Sequence, residues 1–361
     1  MIIFIQPAFP LYRKCFFDKL FAAYKDNFKL ITAFDPSLGS LNISNSSYIK
    51  QSKMYSFGNL FFWQSSVFKL DMDRDTILVL PSNPRIISSL VIFIIAKLRG
   101  AKIIFWGHFH TAFNNTFTKF IRLCIARFAD GMIFYTQDEV SFYFRTFLGK
   151  YDSRPICGLG NGLDRSLLIN FCKPYDYDLR KGNIVFIGRI TEKSKLPLLL
   201  NSISILSDSR ITLTIIGSGP LLDHCHSLAV SLGINHQVKW LGEIIEESIL
   251  SDILNKQSLF IYPGAVGLSL IHAMNYGIPC VVHSNPANHM PEFAAFRNHY
   301  NGVSFREDDV DDLSSVMNST IWNPLLLTSY SKNCIETISN DYNCDVMSQK
   351  AISFLNSFID C

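Results

Sequence analysis

Five short runs rich in β-branched residues recur through the second half of the chain: GNIVFIG at 182–188, ITLTIIG at 211–217, VKWLG at 238–242, SLFIYP at 258–263 and IPCVVHS at 278–284. Each ends at glycine, proline or serine, and helical segments separate most of them. Strand, helix, strand repeats of this length argue a parallel sheet covered on both faces. The first half repeats the pattern less cleanly, with MIIFI at the start, FKLITAF at 28–34, TILVLP at 76–81, AKIIFWG at 101–107 and GMIFYT at 131–136. Helices are expected across YRKCFFDKLFAAY, where Phe16, Phe17, Leu20 and Phe21 recur at helical spacing, and across 86–98 and 117–128. The expected fold class is α/β, with two doubly wound parallel-sheet domains facing across a cleft at the carboxyl ends of their strands.

Length agrees, because 361 residues exceed one ordinary compact core. The boundary is placed between CGLGNGLD at 157–164 and KPYDYDLRKGN at 173–183, a turn-rich polar passage. This gives an N-terminal domain over 1–165, a C-terminal domain over 175–340, and a final helix over 341–361 that can pack back toward the N-terminal domain. With 48% hydrophobic and 17% charged residues, the chain is too apolar for disorder. The most apolar segment, IISSLVIFIIAKLRG at 86–100, has only eleven apolar or small residues between Arg85 and Lys97. A membrane span needs about 20, so this reads as a buried helix. No basic leader precedes Pro7, and the nine cysteines are odd in number and lack a C-x-x-C pair. Neither export, a disulfide framework nor a zinc site is expected, and a cytoplasmic location is. Without a secretion signal, the N-x-S/T triplets at Asn42, Asn45, Asn114 and Asn318 carry little weight.

Charge divides between the halves. Residues 1–165 contain 20 Lys and Arg against 11 Asp and Glu, a net +9; residues 166–361 contain 13 against 19, a net −6. A basic half suits an anionic membrane surface or a phosphate-bearing acceptor, with ordinary surface scatter as the plain alternative. Nucleic acid is not favoured, because no contiguous Lys/Arg stripe with interleaved aromatics occurs.

Several constellations can carry chemistry. In FIGRITEKSK, a strand delivers Gly188 and Arg189, with Lys193 and Lys195 just beyond, a set suited to diphosphate or to a solvated surface. In IIGSGP, Gly217 and Gly219 mark either a tight turn into a helix starting near Leu221 or a loop passing a nucleotide. The third glycine of a dinucleotide fingerprint is missing, so NAD is not favoured and no cofactor is expected. In IYPGAVGLSLIHAMNYGIPCVV, residues Gly264 to Gly267 can bring successive backbone N–H groups to the start of a helix over about 268–276, where anions are favoured. Leu268 and His272 stand one i, i+4 step apart on it, and His272 is either a partner for a ligand hydroxyl or a core histidine satisfied by a backbone carbonyl. Downstream, NPANHMPEF holds His289 and Glu292; Glu292 either caps the following helix or contacts a sugar or ribose. In WGHFH at 106–110, His108 or His110 either faces a donor sugar or simply shapes a loop. A metal site would require His108, His110, His272 and His289 to converge from distant loops, and none is expected.

Taken in order, PAFPLYRKCFFDKL, KIIFWGH, ARFADGMIFYT, GNGLD, FIGRITEKSK, IIGSGP, VKWLGEI and YPGAVGLSLIHAMNYGIPCVV, with MPEF and NG behind it, span most of the chain. This ordered set resembles the retaining glycosyltransferases of family 4, which have two Rossmann-like domains in the GT-B arrangement, and especially their bacterial O-antigen and capsular polysaccharide members. The resemblance implies that Arg189 and a following lysine grip a donor diphosphate; the usual lysine position falls near Ser194, between Lys193 and Lys195. It also implies that Gly267 and Leu268 approach the diphosphate and sugar. The family's two glutamates, separated by seven residues, correspond here to Gly264 and His272. Histidine can still bind ribose hydroxyls, whereas glycine cannot replace the carboxylate by the donor sugar.

What this resemblance implies is transfer of a glycosyl unit, with retained configuration, from a nucleotide sugar to a lipid-linked saccharide in O-antigen or capsule synthesis, at the inner face of the plasma membrane. Arg189 and Lys195 would stabilise the departing diphosphate, which helps deprotonate the acceptor, and His108 would face the donor sugar. Gly188, Lys193, Gly217, Gly267, Leu268, His272 and Glu292 would complete the donor site, without metal. The alternatives are another GT-B chemistry, such as epimerisation or hydrolysis of a nucleotide sugar, and a catalytically weakened nucleotide-sugar-binding protein. Oligomeric state is not legible.

Overall fold

The computed structural model describes residues 1–33, 46–58, 61–65, 70–109 and 116–359; Asn42, Asn45, His110, Asn114 and Cys361 lie outside these. The chain divides into two compact units, one formed by Met1–Asn161 with Cys344–Cys361 and the other by Gly162–Asn343.

In the first unit, β1 (Ile2–Gln6), α1 (Lys14–Tyr24), β2 (Phe28–Ala33), β3 (Ile49–Ser52), a hairpin of β4 (Met54–Phe57) and β5 (Phe61–Gln64), β6 (Ile77–Pro81), α2 (Ile87–Leu98), β7 (Lys102–Trp106), α3 (Thr116–Ala126), β8 (Gly131–Phe134), α4 (Gln137–Phe144) and β9 (Ile156–Gly158) follow in order. Seven strands form one sheet in the order β3-β2-β1-β6-β7-β8-β9, with every pairing parallel. Alternate residues of β1 explain its continuous apolarity. Phe4 packs with Phe16 and Phe17 of α1 and with Met347, Ala351 and Leu355 of the final helix Cys344–Asn356. Ile3 and Ile5 face Ile92 and Ala96 of α2 and Leu123 and Ala126 of α3. Each such side chain contributes about 1.5–3 kcal/mol on full burial. The final helix is fastened to α1 by Lys19–Asp345 at 2.7 Å and by the Tyr24 hydroxyl on Asn356 Oδ1 at 2.8 Å. Helix α2 departs from the buried helix expected at 86–100: Ser88, Ser89, Ile92 and Ala96 turn inward, while Ile94 and Leu98 are 56% and 84% exposed. Only one face of it meets the sheet.

The second unit runs through two short helices, α5 (Arg165–Leu168) and α6 (Tyr177–Arg180), then β10 (Asn183–Ile187), α7 (Leu196–Leu206), β11 (Thr212–Ile216), α8 (Leu222–Ser231), β12 (Val238–Trp240), α9 (Glu247–Leu254), β13 (Leu259–Tyr262), α10 (Leu268–Asn275), β14 (Cys280–His283), β15 (Gly302–Phe305), α11 (Val310–Ile321) and α12 (Pro324–Asn340). Its six-stranded parallel sheet has the order β12-β11-β10-β13-β14-β15. Helix starts follow capping chemistry: Asp309 accepts from Asp312 N at 2.8 Å, and Asn323 from Leu326 N at 3.0 Å with Pro324 at the first helical position. Both units are therefore Rossmann-like α/β sheets. In each the strand order reverses once, between β1 and β6 and between β10 and β13. Beyond the carboxyl ends of strands at such a reversal, the flanking loops diverge and leave a crevice for a ligand.

Candidate functional site

The loops flanking the β10/β13 reversal are those carrying Gly188–Lys195 and Gly264–Gly267. They are bonded to each other: Ala265 donates its N–H to Lys193 O at 2.9 Å. This contact explains the glycine at 264, where a Cβ would lie 2.0 Å from Lys193 O and 2.7 Å from Ser194 C. No side chain, carboxylate or otherwise, fits there while the 3-10 turn Glu192–Ser194 keeps its place.

The expectation that successive N–H groups from Gly264 to Gly267 face an anion is corrected in part. The N–H of Ala265 is taken by Lys193, and that of Val266 is donated to His289 Nδ1 at 3.2 Å. The N–H groups of Gly267, Leu268 and Ser269 have no partner among the described residues, and Gly267 starts α10 without a side-chain cap. Those three donors, with the positive end of the helix dipole behind them, make the start of α10 chemically suited to an anion. Leu270, Ile271, Ala273 and Met274 anchor α10 against the sheet.

The cations around this turn differ. Arg189 and Lys193 are exposed and enter no ion pair among the described residues. Ser194, at the usual lysine position, is buried and closes a capping box with Thr191. Lys195 begins α7 in the left-handed conformation, φ 51°, and its Nζ lies 2.6 Å from Asp308 Oδ1 and 3.0 Å from Glu307 Oε1. Burial acts to lower the Lys195 ammonium, but the two carboxylates outweigh it and its pKa is raised. Burial likewise acts against the Glu307 carboxylate, yet hydrogen bonds from Asn288, Asn285 and Lys195 bring it down to about 2.

Behind the turn, His289 accepts from Val266 through Nδ1, so its proton is on Nε2, which donates to His283 O at 2.8 Å. The ring stacks between His283 and Phe293, with centroids 3.7 and 4.1 Å away. Burial, with the charge of His283 and Lys195, pushes His289 down to about 3 despite the opposing effects of the His283 carbonyl and Glu307. His289 thus holds the turn in its neutral form. Glu292, buried in the 3-10 turn Pro291–Ala295, brings Oε2 to 3.7 Å from the place a Cβ on Gly267 would occupy.

His272 is bonded to a side chain rather than to a carbonyl: its Nε2 lies 3.0 Å from Glu247 Oε1, which also accepts from the Tyr276 hydroxyl. The fully buried Arg180 holds the end of α10, donating to Tyr276 O at 3.1 Å and to Gln257 O at 3.3 Å.

The two glycines of IIGSGP serve packing. Gly217, at φ +141°, donates its N–H to Gly242 O at 2.7 Å, and a Cβ on it would lie 2.0 Å from Gly188 O; one on Gly219 would lie 2.2 Å from Ile190 O. Of the two readings open for this motif, the close-packed turn accounts for both positions.

In the first unit, His108 follows β7. Its ring stacks on Tyr135 with centroids 3.8 Å apart, and Nδ1 lies 3.9 Å from Glu139 Oε1. Burial, then the positive charges of Arg13 and Arg122, depress His108 to about 4, so it is neutral near pH 7. Glu139 accepts from Phe109 N, Tyr135 N and Thr136 N at 2.7, 2.9 and 3.1 Å, and burial pushes it up to about 7. Arg122 donates to the carbonyls of His108 and Phe109. Sequence reading missed Glu139, although TQDE at 136–139 is a capping-box spacing, and the box forms on α4. It also missed Glu247, Tyr276 and Glu307, which no local motif marks. Among the described residues no group of three or more His, Cys, Asp and Glu is placed to hold a metal ion.

Residues 174–338 match the family described as Glycosyl transferases group 1. An uncharacterized glycosyltransferase of Methanocaldococcus jannaschii is 28% identical over 120 residues, 32% of this chain and 30% of that protein. The chain thus spans about a third of that curated relative's length. Among solved structures, Anabaena HepE in complex with UDP superposes with a TM-score of 0.71 at 14% identity, covering 99% of each chain. The lipopolysaccharide outer core galactosyltransferase WaaB superposes with a TM-score of 0.70 at 16% identity, also covering 99% of each chain. These likenesses extend the fold over both units. The similarity to the Glycosyl transferases group 1 family falls within the second unit, over residues 174–338.

Proposed function

We propose that this protein transfers a glycosyl unit, with retained configuration, from a nucleotide sugar to a lipid-linked saccharide acceptor in surface polysaccharide synthesis. The observation that carries the reading is that, at the β10/β13 reversal, the N–H groups of Gly267, Leu268 and Ser269 have no partner and Arg189 no ion pair among the described residues. Backbone donors fixed before the reaction stabilise negative charge developing on a departing diphosphate without reorganising, and Arg189 adds a rigid fork for its oxygens. Lys193 supplies a second cation, whereas Lys195 is held by Glu307 and Asp308 and would have to leave them to do so. The departing phosphate accepts the acceptor hydroxyl's proton on the face where the new bond forms, so no protein nucleophile is used. His272 orients the ribose and Glu292 the sugar. HepE, solved with UDP and with UDP-glucose, and the galactosyltransferase WaaB support a nucleotide-sugar donor.

The acceptor assignment draws on the basic first half and on exposed aromatic residues there. Phe128, Phe147 and Tyr151 are 72%, 83% and 69% exposed, with Arg127, Arg145 and Lys150 close in sequence. Aromatic rings beside cations suit the interface of an anionic bilayer. No helix among the described residues is long and apolar enough to cross a membrane.

A second reading, a nucleotide-sugar-binding protein of weakened catalysis, draws on the closed position at Gly264. A panel of nucleotide sugars incubated with membrane lipid extract, followed by product analysis, decides between them. The transferase reading expects a lipid-linked product elongated by one sugar. Donor binding with no product across the panel favours the second reading, and a free sugar or epimer formed without acceptor overturns transfer.

A further inference from the structure

Glu247 is the first residue of α9, which follows β12, and His272 lies in the second turn of α10, which follows β13. In a parallel sheet both helices start at the carboxyl edge, where Arg189 and the Gly267 donors also lie. The Glu247 Oε1 accepts from His272 Nε2 at 3.0 Å and from the Tyr276 hydroxyl, while Oε2 has no protein donor among the described residues. Burial acts to raise Glu247, but the bond and charge of His272, with the Tyr276 bond, outweigh it, so it is ionised at neutral pH. Glu247 therefore presents a carboxylate oxygen with no donor among the described residues, on a partly exposed patch where its side chain is 28% exposed and that of His272 16%. A carboxylate oxygen with open lone pairs accepts from hydroxyl donors, and a vicinal diol presents two of them side by side.

We propose that Glu247 is the ribose-reading residue of this protein: its Oε2 accepts from the ribose hydroxyls of a nucleoside diphosphate and discriminates ribose from 2′-deoxyribose. The inference rests on the nucleotide-sugar reading above. Tyr276 and His272 are positioning residues for the carboxylate, and Arg180 holds the helix end on which Tyr276 stands. Position 272 lacks the carboxylate of the resembling family, and α9 supplies one from 25 residues upstream.

The test is calorimetric titration of the full chain with UDP, GDP and ADP, then with the 2′-deoxy form of whichever binds, for the wild type, Glu247→Gln and Tyr276→Phe. A hydrogen bond to a charged acceptor predicts that the wild type prefers the ribonucleotide by roughly ten- to hundred-fold. Glu247→Gln should bring that ratio close to one by weakening the ribo form, and Tyr276→Phe should lower it less. Should Glu247→Gln fold poorly, Glu247→Asp keeps the charge but withdraws the carboxylate, and the ratio should again fall. A ratio unchanged in the Glu247 variants overturns the proposal and makes the cluster a tie between two helices. If no nucleoside diphosphate binds the wild type, the nucleotide-sugar reading fails and takes this one with it.

Discussion

Val266 donates its backbone N–H to Nδ1 of His289 across 3.2 Å, and that bond exists only while the ring is neutral. The unfolded chain takes up a proton on His289 near pH 6.5, whereas the folded one resists until about pH 3. A histidine with a depressed folded pKa favours the fold fully above its unfolded value. That contribution is lost as pH falls from about 6.5 toward 3. Replacing His289 by Gln should therefore lower the melting temperature most above pH 7, and the gap from wild type should narrow by pH 4. Parallel melting curves across pH 8 to 4 would show that the ring does not hold the turn.

Gly264 makes a steric prediction. A Cβ there meets Lys193 O at 2.0 Å, so Gly264→Ala must push the Glu192–Ser194 turn away from Ala265. Overpacking of this kind costs about 1–3 kcal/mol. Gly264→Glu, which restores the residue expected from the resemblance, should lower both stability and nucleoside diphosphate affinity instead of raising turnover. A Gly264→Glu protein that melts like the wild type and turns over faster would disprove the account.

How much of this was legible beforehand follows from how local each feature is. The strands β1, β6, β7, β10, β11, β13 and β14 announce themselves because both faces of each are covered, so apolar residues dominate their sequences. β3, reading IKQS, and the three-residue β9 do not, because a short edge strand carries little pattern. At the site, the Arg189 loop and the Gly267 turn were visible from strand-end glycines. The state of their neighbours was not: Lys195 faces Glu307 over 112 residues, and His272 faces Glu247 over 25. Such pairings depend on how strands are ordered in the sheet, which no short spacing records. Gly264 was visible as an anomaly, but its cause, the close approach of Lys193 O, belongs to tertiary structure.

The exposed aromatic residues of the first unit give a membrane prediction. Changing Phe128, Phe147 and Tyr151 to Ser removes apolar area without touching the described core, since all three are more than two-thirds exposed. Co-sedimentation with vesicles containing anionic lipid should fall several-fold, while melting temperature stays nearly constant. Binding that persists in the triple variant and disappears in high salt would assign attachment to charge alone.

The two lysines beside Arg189 can be separated by their partners. Arg189→Ala should weaken nucleoside diphosphate binding roughly ten- to hundred-fold, the range for a hydrogen bond to a charged group. Lys193 enters no ion pair among the described residues, so its charge is available to an incoming anion, and Lys193→Ala should weaken binding in the same direction. Lys195 is compensated by Glu307 and Asp308 at 3.0 and 2.6 Å, so any contact with diphosphate first requires that those bonds break. Lys195→Ala should therefore change affinity little. Glu307→Gln separates the cases. If Lys195 stays with its carboxylates, affinity is unmoved in the Gln variant. If the lysine serves the diphosphate, removing one competing carboxylate makes binding tighter, and the loss on then adding Lys195→Ala exceeds the loss on the wild-type background. Titration of these four variants, with Lys195→Ala also placed on the Glu307→Gln background, assigns the second cation, and tighter binding by Glu307→Gln would transfer that role from Lys193 to Lys195.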